Sequence, residues 1–473
     1  MIFPDISNLP PAMRRRTFNR TVLGALGATA LPLSRPLSRA ASPDARSAAR
    51  GRTGGGTTVD DDALRVDGAR INAHLAQLAE FGKNPQGGVS RTAYSDADVA
   101  GRAWLQGVMR DAGLAPRIDV AGNIIARVEG TNPALPPIII GSHIDSVPAG
   151  GNYDGDVGTL SSVEVARTLK AAGRALAHPL EVACWQNEEG GLTGSRIVSG
   201  EFEARELDQR TNSGFTIREG ITRIGGDPAR LGEARRAHGS IAAYVEYHIE
   251  QGGTLDARKL DIGVVEGIVA NYRWDIVVTG FANHAGTTAM KGRRDAVLAA
   301  SQVALMVNRE ATREPGRQVG TVGHMQAFPG AANVIPGRVE LSLDLRDLRD
   351  ATVKRVFARI EREAARIARE TGTTITFTEA SNHAASLSDP RIRDIIRRSA
   401  QSLGFSTLTL PSGAGHDAQS MSRLGPMGMI FVPSVGGISH APTEFSKPAD
   451  ITNGANVLLR TVLALDGWGA AGR

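Results

Sequence analysis

The sequence predicts an α/β protein in which a mostly parallel sheet flanked by helices carries a smaller, inserted α+β domain. Short, solidly apolar runs at 137–140, 180–185 and 427–432 read as strands buried on both faces, the habit of a parallel sheet. Between the first two runs, 157–172 places Val163, Ala166 and Leu169 at helical spacing, which completes a strand–helix–strand unit. The middle of the chain alternates instead, with strands expected over 273–279, 319–327 and 338–345 and helices over 294–308 and 352–370. In the later helix Val353, Val356, Phe357, Ile360, Ala364 and Ile367 recur at three- and four-residue steps, with Asp350 near its start and Gly372 at its stop. After about 382 the first pattern returns, so 60–262 and 382–473 form an outer domain and 263–381 the inserted one.

Ahead of the outer domain, 1–40 has the three parts of an export signal: Met13-Arg14-Arg15-Arg16-Thr17-Phe18, a mildly apolar stretch from Thr21 to Leu33, and a small-residue end at Ala40. The paired arginines followed by Phe18 resemble a twin-arginine leader, which predicts a periplasmic or secreted protein; 41–59, rich in Ala, Ser, Arg and Gly, reads as a linker. Six arginines against Asp5 give residues 1–40 a charge of +5, which is also the net charge of all 473 residues. The remainder is therefore neutral, which argues against a nucleic-acid partner, because such affinity comes from Lys and Arg neutralising phosphates. No later segment has the ~20 apolar residues of a membrane span, so no membrane partner is expected after maturation. Cys184, the only cysteine, sits in an apolar run and reads as a core residue.

The residues that carry chemistry follow the buried runs. Gly141-Ser142-His143-Ile144-Asp145 leads to Asn152-Tyr153-Asp154-Gly155, offering an imidazole, a carboxylate in Asp154, and Asp145 placed to orient the histidine. Asn187-Glu188-Glu189-Gly190 puts two carboxylates side by side, which calls for a cation; if Glu189 ligates a metal, Glu188 remains free as a base. His248 and His440 come from Glu246–Gly252 and Gly436–Pro442. Each cluster alone reads equally as a polar turn or a cap. Together, His143, Asp154, Glu189, His248 and His440 form a mixed His and carboxylate set that suits Zn, Mn or Co better than Ca or Mg, with one carboxylate shared between two ions.

The strings GSHIDSVPAGGNYDG, NEEGG, HIEQGGTL, HAGTTAM, ANVIPGRVELSLDLRD, SGAGHDA and GISHAPTE resemble the hydantoinase/carbamoylase amidase group of the M20 metallopeptidase superfamily, over about 60–465. That resemblance implies two divalent ions per subunit bridged by Asp154, with His143, Glu189, His248 and His440 as terminal ligands and Glu188 as general base. It makes the middle domain a lid that dimerises, on which His284, Asn333 and Arg346 hold the substrate carboxylate and the reacting carbonyl, with Gln251 beside the metals. From the sequence alone Arg346 reads equally as an ordinary salt-bridge residue. The expected substrate is a small molecule with a carboxylate, foremost an N-carbamoyl-L-amino acid cleaved to amino acid, ammonia and carbon dioxide. Allantoate or ureidopropionate hydrolysis, and dipeptidase or aminoacylase activity, use the same metal chemistry and stay open. A binding protein without catalysis would have no use for an unligated Glu188 beside Glu189.

Overall fold

The computed structural model describes residues 60–467, so the expected leader and linker lie outside the described residues. The strands run β1 (Pro116–Ile118), β2 (Ile124–Val128), β3 (Ile138–His143), β4 (Leu180–Trp185), β5 (Ala243–Ile249), β6 (Ile262–Ile268), β7 (Ala270–Thr279) and β8 (Asn283–His284). They continue with β9 (Val319–Phe328), β10 (Val334–Ile335), β11 (Arg338–Asp347), β12 (Thr374–His383), β13 (Ser386–Leu387), β14 (Thr407–Ser412) and β15 (Met427–Val432). Among the described residues no helix is long and apolar enough to cross a membrane.

A nine-stranded sheet has the order β1-β2-β4-β3-β5-β15-β6-β13, with β14 also on β6. Parallel pairing is narrower than expected. It joins β4, β3, β5 and β15 at the centre, and β14 to β6, whereas β2 on β4 and β6 on β15 are antiparallel. Connection length is the reason at one edge. The helix Asp156–Ala171 carries the chain across from β3 to β4, while β1 and β2 are joined by a short turn that permits only an antiparallel pair. The central strands are buried on both faces: Ile138 and Ile140 enter one apolar layer and Ile139 the other, and β15 divides Ile430 and Val432 from Met429 and Phe431 in the same way. Each such side chain contributes roughly 1.5–3 kcal/mol by leaving water. Helices Asp156–Ala171, Gly68–Leu78 and Pro448–Asp466 close the first layer, and Cys184 lies buried in it.

The chain leaves this sheet after Ile268 and re-enters it at Ser386. Between them a four-stranded antiparallel sheet, β12-β7-β11-β9, is covered on one face by helices Ala296–Thr312 and Asp350–Thr371. Burial alternates along β7, as one packed face and one wet face require. Trp274 stacks on Phe357 at 3.8 Å and 7° in the middle of its core. The boundary expected at 263 falls inside β6, which pairs with β14 and β15 in the larger sheet, and the smaller sheet extends to 383 rather than 381. The apolar run 262–268 gave no period with which to divide one sheet from the next.

Candidate active site

The four central strands deliver their C-terminal ends to one place, where ligands sit in open α/β sheets. β3 ends in His143, β4 leads into Glu188 and Glu189, β5 carries His248 just before Gln251, and β15 leads into the loop of His440. Asp154 closes the loop from β3 to its helix. Gly155 follows at φ 68°, and any side chain there would run into the His143 ring. Seven non-glycine residues hold positive φ among the described residues, and three of them, Asn187, Gln251 and His440, lie in this site, as backbone strain often does.

Asp154 is the hub. Its Oδ1 lies 3.1 Å from His248 Nε2 and 3.5 Å from His143 Nε2, and its Oδ2 lies 3.2 Å from His440 Nε2. Glu189 Oε1 stands 3.3 Å from the same His440 nitrogen. Of three groups able to hold a metal ion among the described residues, two share one carboxylate, His143–Asp154–His248, fully buried, and Asp154–Glu189–His440, which opens outward; the third, Glu246–His248–His416, shares His248 with the first. The histidines are set in the form a metal needs. His143 Nδ1–H donates to the Asp145 carbonyl at 2.9 Å and His248 Nδ1–H to the Ile249 carbonyl at 3.0 Å, so in each ring Nε2 is the nitrogen turned toward Asp154. Glu188 Oε2 lies 3.6 Å from His143 Nε2 and belongs to none of these groups. Gln251 donates from Nε2 to Asp154 Oδ2 at 2.6 Å.

The site carries more negative charge than its own cations balance. Burial, reinforced by Asp154, pushes the Glu189 carboxyl up to about 7. Burial also drives Glu188 well above the ordinary carboxylate range, with Glu189, Asp417 and Asp145 adding to it against His143. Asp154 goes the other way: burial would raise it, but His248, His143 and His440 together hold it well below. Glu189 Oε1 and Gln251 Oε1 are buried with no hydrogen-bond partner. Oriented imidazoles, crowded carboxylates and orphaned oxygens fit a divalent cation.

Asp145 does not orient His143 through its carboxylate, which stands 3.9 Å from Nδ1. Its carbonyl does that, while its carboxylate accepts the backbone N–H groups of Glu188 (3.1 Å) and Glu189 (3.2 Å) and so fixes the acidic turn. His284 and Asn333 are exposed neighbours on the β8–β10 ribbon, and among the described residues no hydrogen bond or ion pair joins them to the Asp154 cluster. Arg346 reaches further. Its Nε and Nη2 grip Asp344 two residues earlier on β11 (2.8 and 3.0 Å), and Nη1 donates to the Gly413 carbonyl beyond β14 at 2.6 Å. One edge of its fork is thus a strand salt bridge, and the side chain borders a cleft of about 110 Å³ shared with Asn271, His383 and Gly413.

Sequence reasoning assigned no role to Glu246, His416 or Glu444. Glu246 accepts from Ser142 Oγ (2.8 Å) and the Ala418 N–H (2.8 Å), and His416 packs edge-on to His248 with ring centroids 4.5 Å apart. His416 and Glu444 lie within the motif strings, four residues after Ser412 and His440 respectively, and that position was their only signal.

Comparison with known proteins agrees with this geometry. The model for Peptidase family M20/M25/M40 matches residues 139–464. The N-carbamoyl-L-amino acid amidohydrolase of Geobacillus stearothermophilus is 40% identical over 85% of this chain and 99% of its own length. Ureidoglycolate hydrolase of Arabidopsis thaliana is 35% identical, over 85% and 87% respectively. The crystal structure of a hydantoinase/carbamoylase family amidase from Burkholderia multivorans superposes with a TM-score of 0.78 at 36% identity, covering 85% of this chain and 98% of that one. With its parallel strand ends gathered around Asp154 and its likeness to these amidases running nearly their full length, the chain belongs to peptidase family M20/M25/M40.

Proposed function

We propose that the chain is a two-metal amidohydrolase that cleaves the carbon–nitrogen bond of an N-carbamoyl-L-amino acid, releasing the amino acid, ammonia and carbon dioxide. The observation that carries this is Glu188: a buried carboxylate outside both metal-holding groups yet 3.6 Å from a histidine of one of them. His143 and His248 with Asp154 would hold one ion, and Glu189 and His440 with the same Asp154 the other. Zn, Mn or Co bound there supplies electrophilic polarisation of the carbonyl and a water of lowered pKa. Glu188 takes the proton of the attacking water and passes it to the departing nitrogen, and a carboxyl held above its ordinary range is matched to both tasks.

His284 is the partner for the reacting carbonyl. Its Nδ1 accepts the Gly286 (2.9 Å) and Thr287 (3.2 Å) N–H groups, which leaves Nε2–H as a donor. Arg346 and Asn333 hold the substrate carboxylate, and Gln251 positions the group beside Asp154. Because His284 lies on the β8–β10 ribbon, in the chain segment that builds the smaller sheet, residues 270–383 act as a lid, and we propose that two such lids pair in a homodimer. Exposed apolar side chains on and beside helix Ala296–Thr312, Leu298 (54%), Leu305 (74%) and Met290 (77%), support that pairing. A ureidoglycolate-type reading is favoured second by the Arabidopsis relative. A panel of N-carbamoyl amino acids, ureidoglycolate, allantoate, N-acyl amino acids and dipeptides, assayed with added Zn, Mn or Co, tests the proposal; turnover of dipeptides alone would overturn it. Export by the twin-arginine route is a separate proposal. It predicts that Arg15→Lys with Arg16→Lys retains precursor in the cytoplasm, and unchanged export of that variant would refute it.

A further inference from the structure

Of the three ligands of the outward-opening group, Asp154 and His440 come from loops far apart in sequence, and neither lies in a strand or helix. Asp154 follows β3, and His440 follows β15. One buried side chain joins them. Glu444, 4% exposed, accepts the N–H groups of Tyr153 (3.0 Å) and Asp154 (3.1 Å) on Oε1, and the Ser439 hydroxyl (2.7 Å) and His440 N–H (3.3 Å) on Oε2. Three of these partners are backbone N–H groups that can only donate, so both oxygens accept, and the Ser439 hydroxyl also lies 3.1 Å from Asp154 Oδ2. The chain is shaped around it: a Cβ on Gly151 would collide with the Glu444 carboxylate, so that position is held open by glycine.

We propose that Glu444 is a positioning residue that sets the separation of Asp154 from His440 and thereby governs occupancy of the Asp154–Glu189–His440 position. The inference rests on the two-metal reading above. The buried position shares Asp154 but keeps two further ligands that the clamp does not touch, because His143 and His248 are fixed by strands β3 and β5 and by their own carbonyl partners. Loss of the clamp should therefore separate the two positions rather than weaken both. Glu444→Gln would turn an NH2 group against two donors. Gly151→Ala would displace the carboxylate while leaving the charge unchanged.

The test is a Zn titration of the metal-free protein against a chromophoric chelator, with bound metal counted by mass spectrometry and folding followed by circular dichroism. Wild type should bind two ions. Glu444→Gln should weaken the looser ion about 10–100-fold, the usual effect of removing a group that orients metal ligands, and change the tighter ion less than about threefold. Gly151→Ala should move the same ion in the same direction, and it decides the matter if Glu444→Gln does not fold. Unchanged affinity for both ions, or equal weakening of both, would overturn the proposal. If wild type binds a single ion the two-metal reading fails; Glu444 is then judged on that ion, with tenfold weakening in its favour and unchanged affinity against it.

Discussion

Histidines of the larger sheet and of the β8–β10 ribbon are turned opposite ways by the same backbone device. In the larger sheet His143 and His248 give Nδ1–H to carbonyl oxygens and turn Nε2 toward Asp154; on the ribbon, His284 receives N–H groups at Nδ1 and is left with a proton on Nε2. The first arrangement makes an electron-pair donor and the second a hydrogen-bond donor, with no difference in residue type. Surroundings follow the same division: the first pair is buried in a crowd of carboxylates, and His284 stands exposed on a two-stranded ribbon. The larger and the smaller sheet each have their own apolar core.

The largest effect should fall on Glu188. Glu188→Gln is expected to lower kcat by about 10²–10⁴-fold with metal content nearly unchanged, whereas Glu189→Gln lowers metal occupancy. Equal metal loss in both variants would erase the distinction between base and ligand. Next comes His284→Ala, expected to cost about 10²–10³-fold in kcat with metal content and melting temperature unchanged. Mixing it with Glu188→Gln sharpens the comparison, since a lid serving its partner subunit restores about a quarter to a half of activity. No recovery, with subunit exchange shown by tags, would place His284 beside its own chain's metals.

Trp274→Ala tests whether the two cores are independent. It removes the ring stacked on Phe357 and should destabilise the smaller sheet by about 3–5 kcal/mol, while Zn affinity of the larger sheet stays unchanged. Coupled loss of metal would show that one core supports the other. The smallest effect concerns Asp98, which burial pushes up to about 6 from an ordinary 3.8 despite Arg102. Because its folded pKa lies above its unfolded one, the charged form costs stability above pH 6, and that cost is relieved as pH falls toward 4. Asp98→Asn should therefore gain on wild type by up to about 3 kcal/mol between pH 4 and pH 7 in urea melts. A pH-independent difference would mean that Arg102 already compensates the charge.

The parallel centre was legible because runs such as 138–140 and 427–432 are apolar at every position, and the smaller sheet because β7 and β11 alternate. The antiparallel flanks were not, since hydrophobic pattern reports burial and is silent on strand direction. Among site positions, His143, Glu188 and Glu189 stood out by following buried strands directly. Roles carried by the main chain were hidden: nothing in the letters shows that Asp145 binds His143 by its carbonyl. Glu444 was hidden for a related reason, its partners being backbone N–H groups at 153 and 154. Asp344 was more accessible, because residues two apart on a strand share a face and Arg346 follows it at that interval.

Ile268 and Ser386, the last residue of β6 and the first of β13, are direct cross-strand partners. Topologically the host therefore contains a hairpin whose turn has been replaced by a folded body. Lengthening a loop whose ends already meet adds only a slowly growing closure entropy, so such a point tolerates cargo of very different size and origin. The segment between these two residues can therefore change in length without redrawing strands β3, β4, β5 and β15, whose ends gather around Asp154.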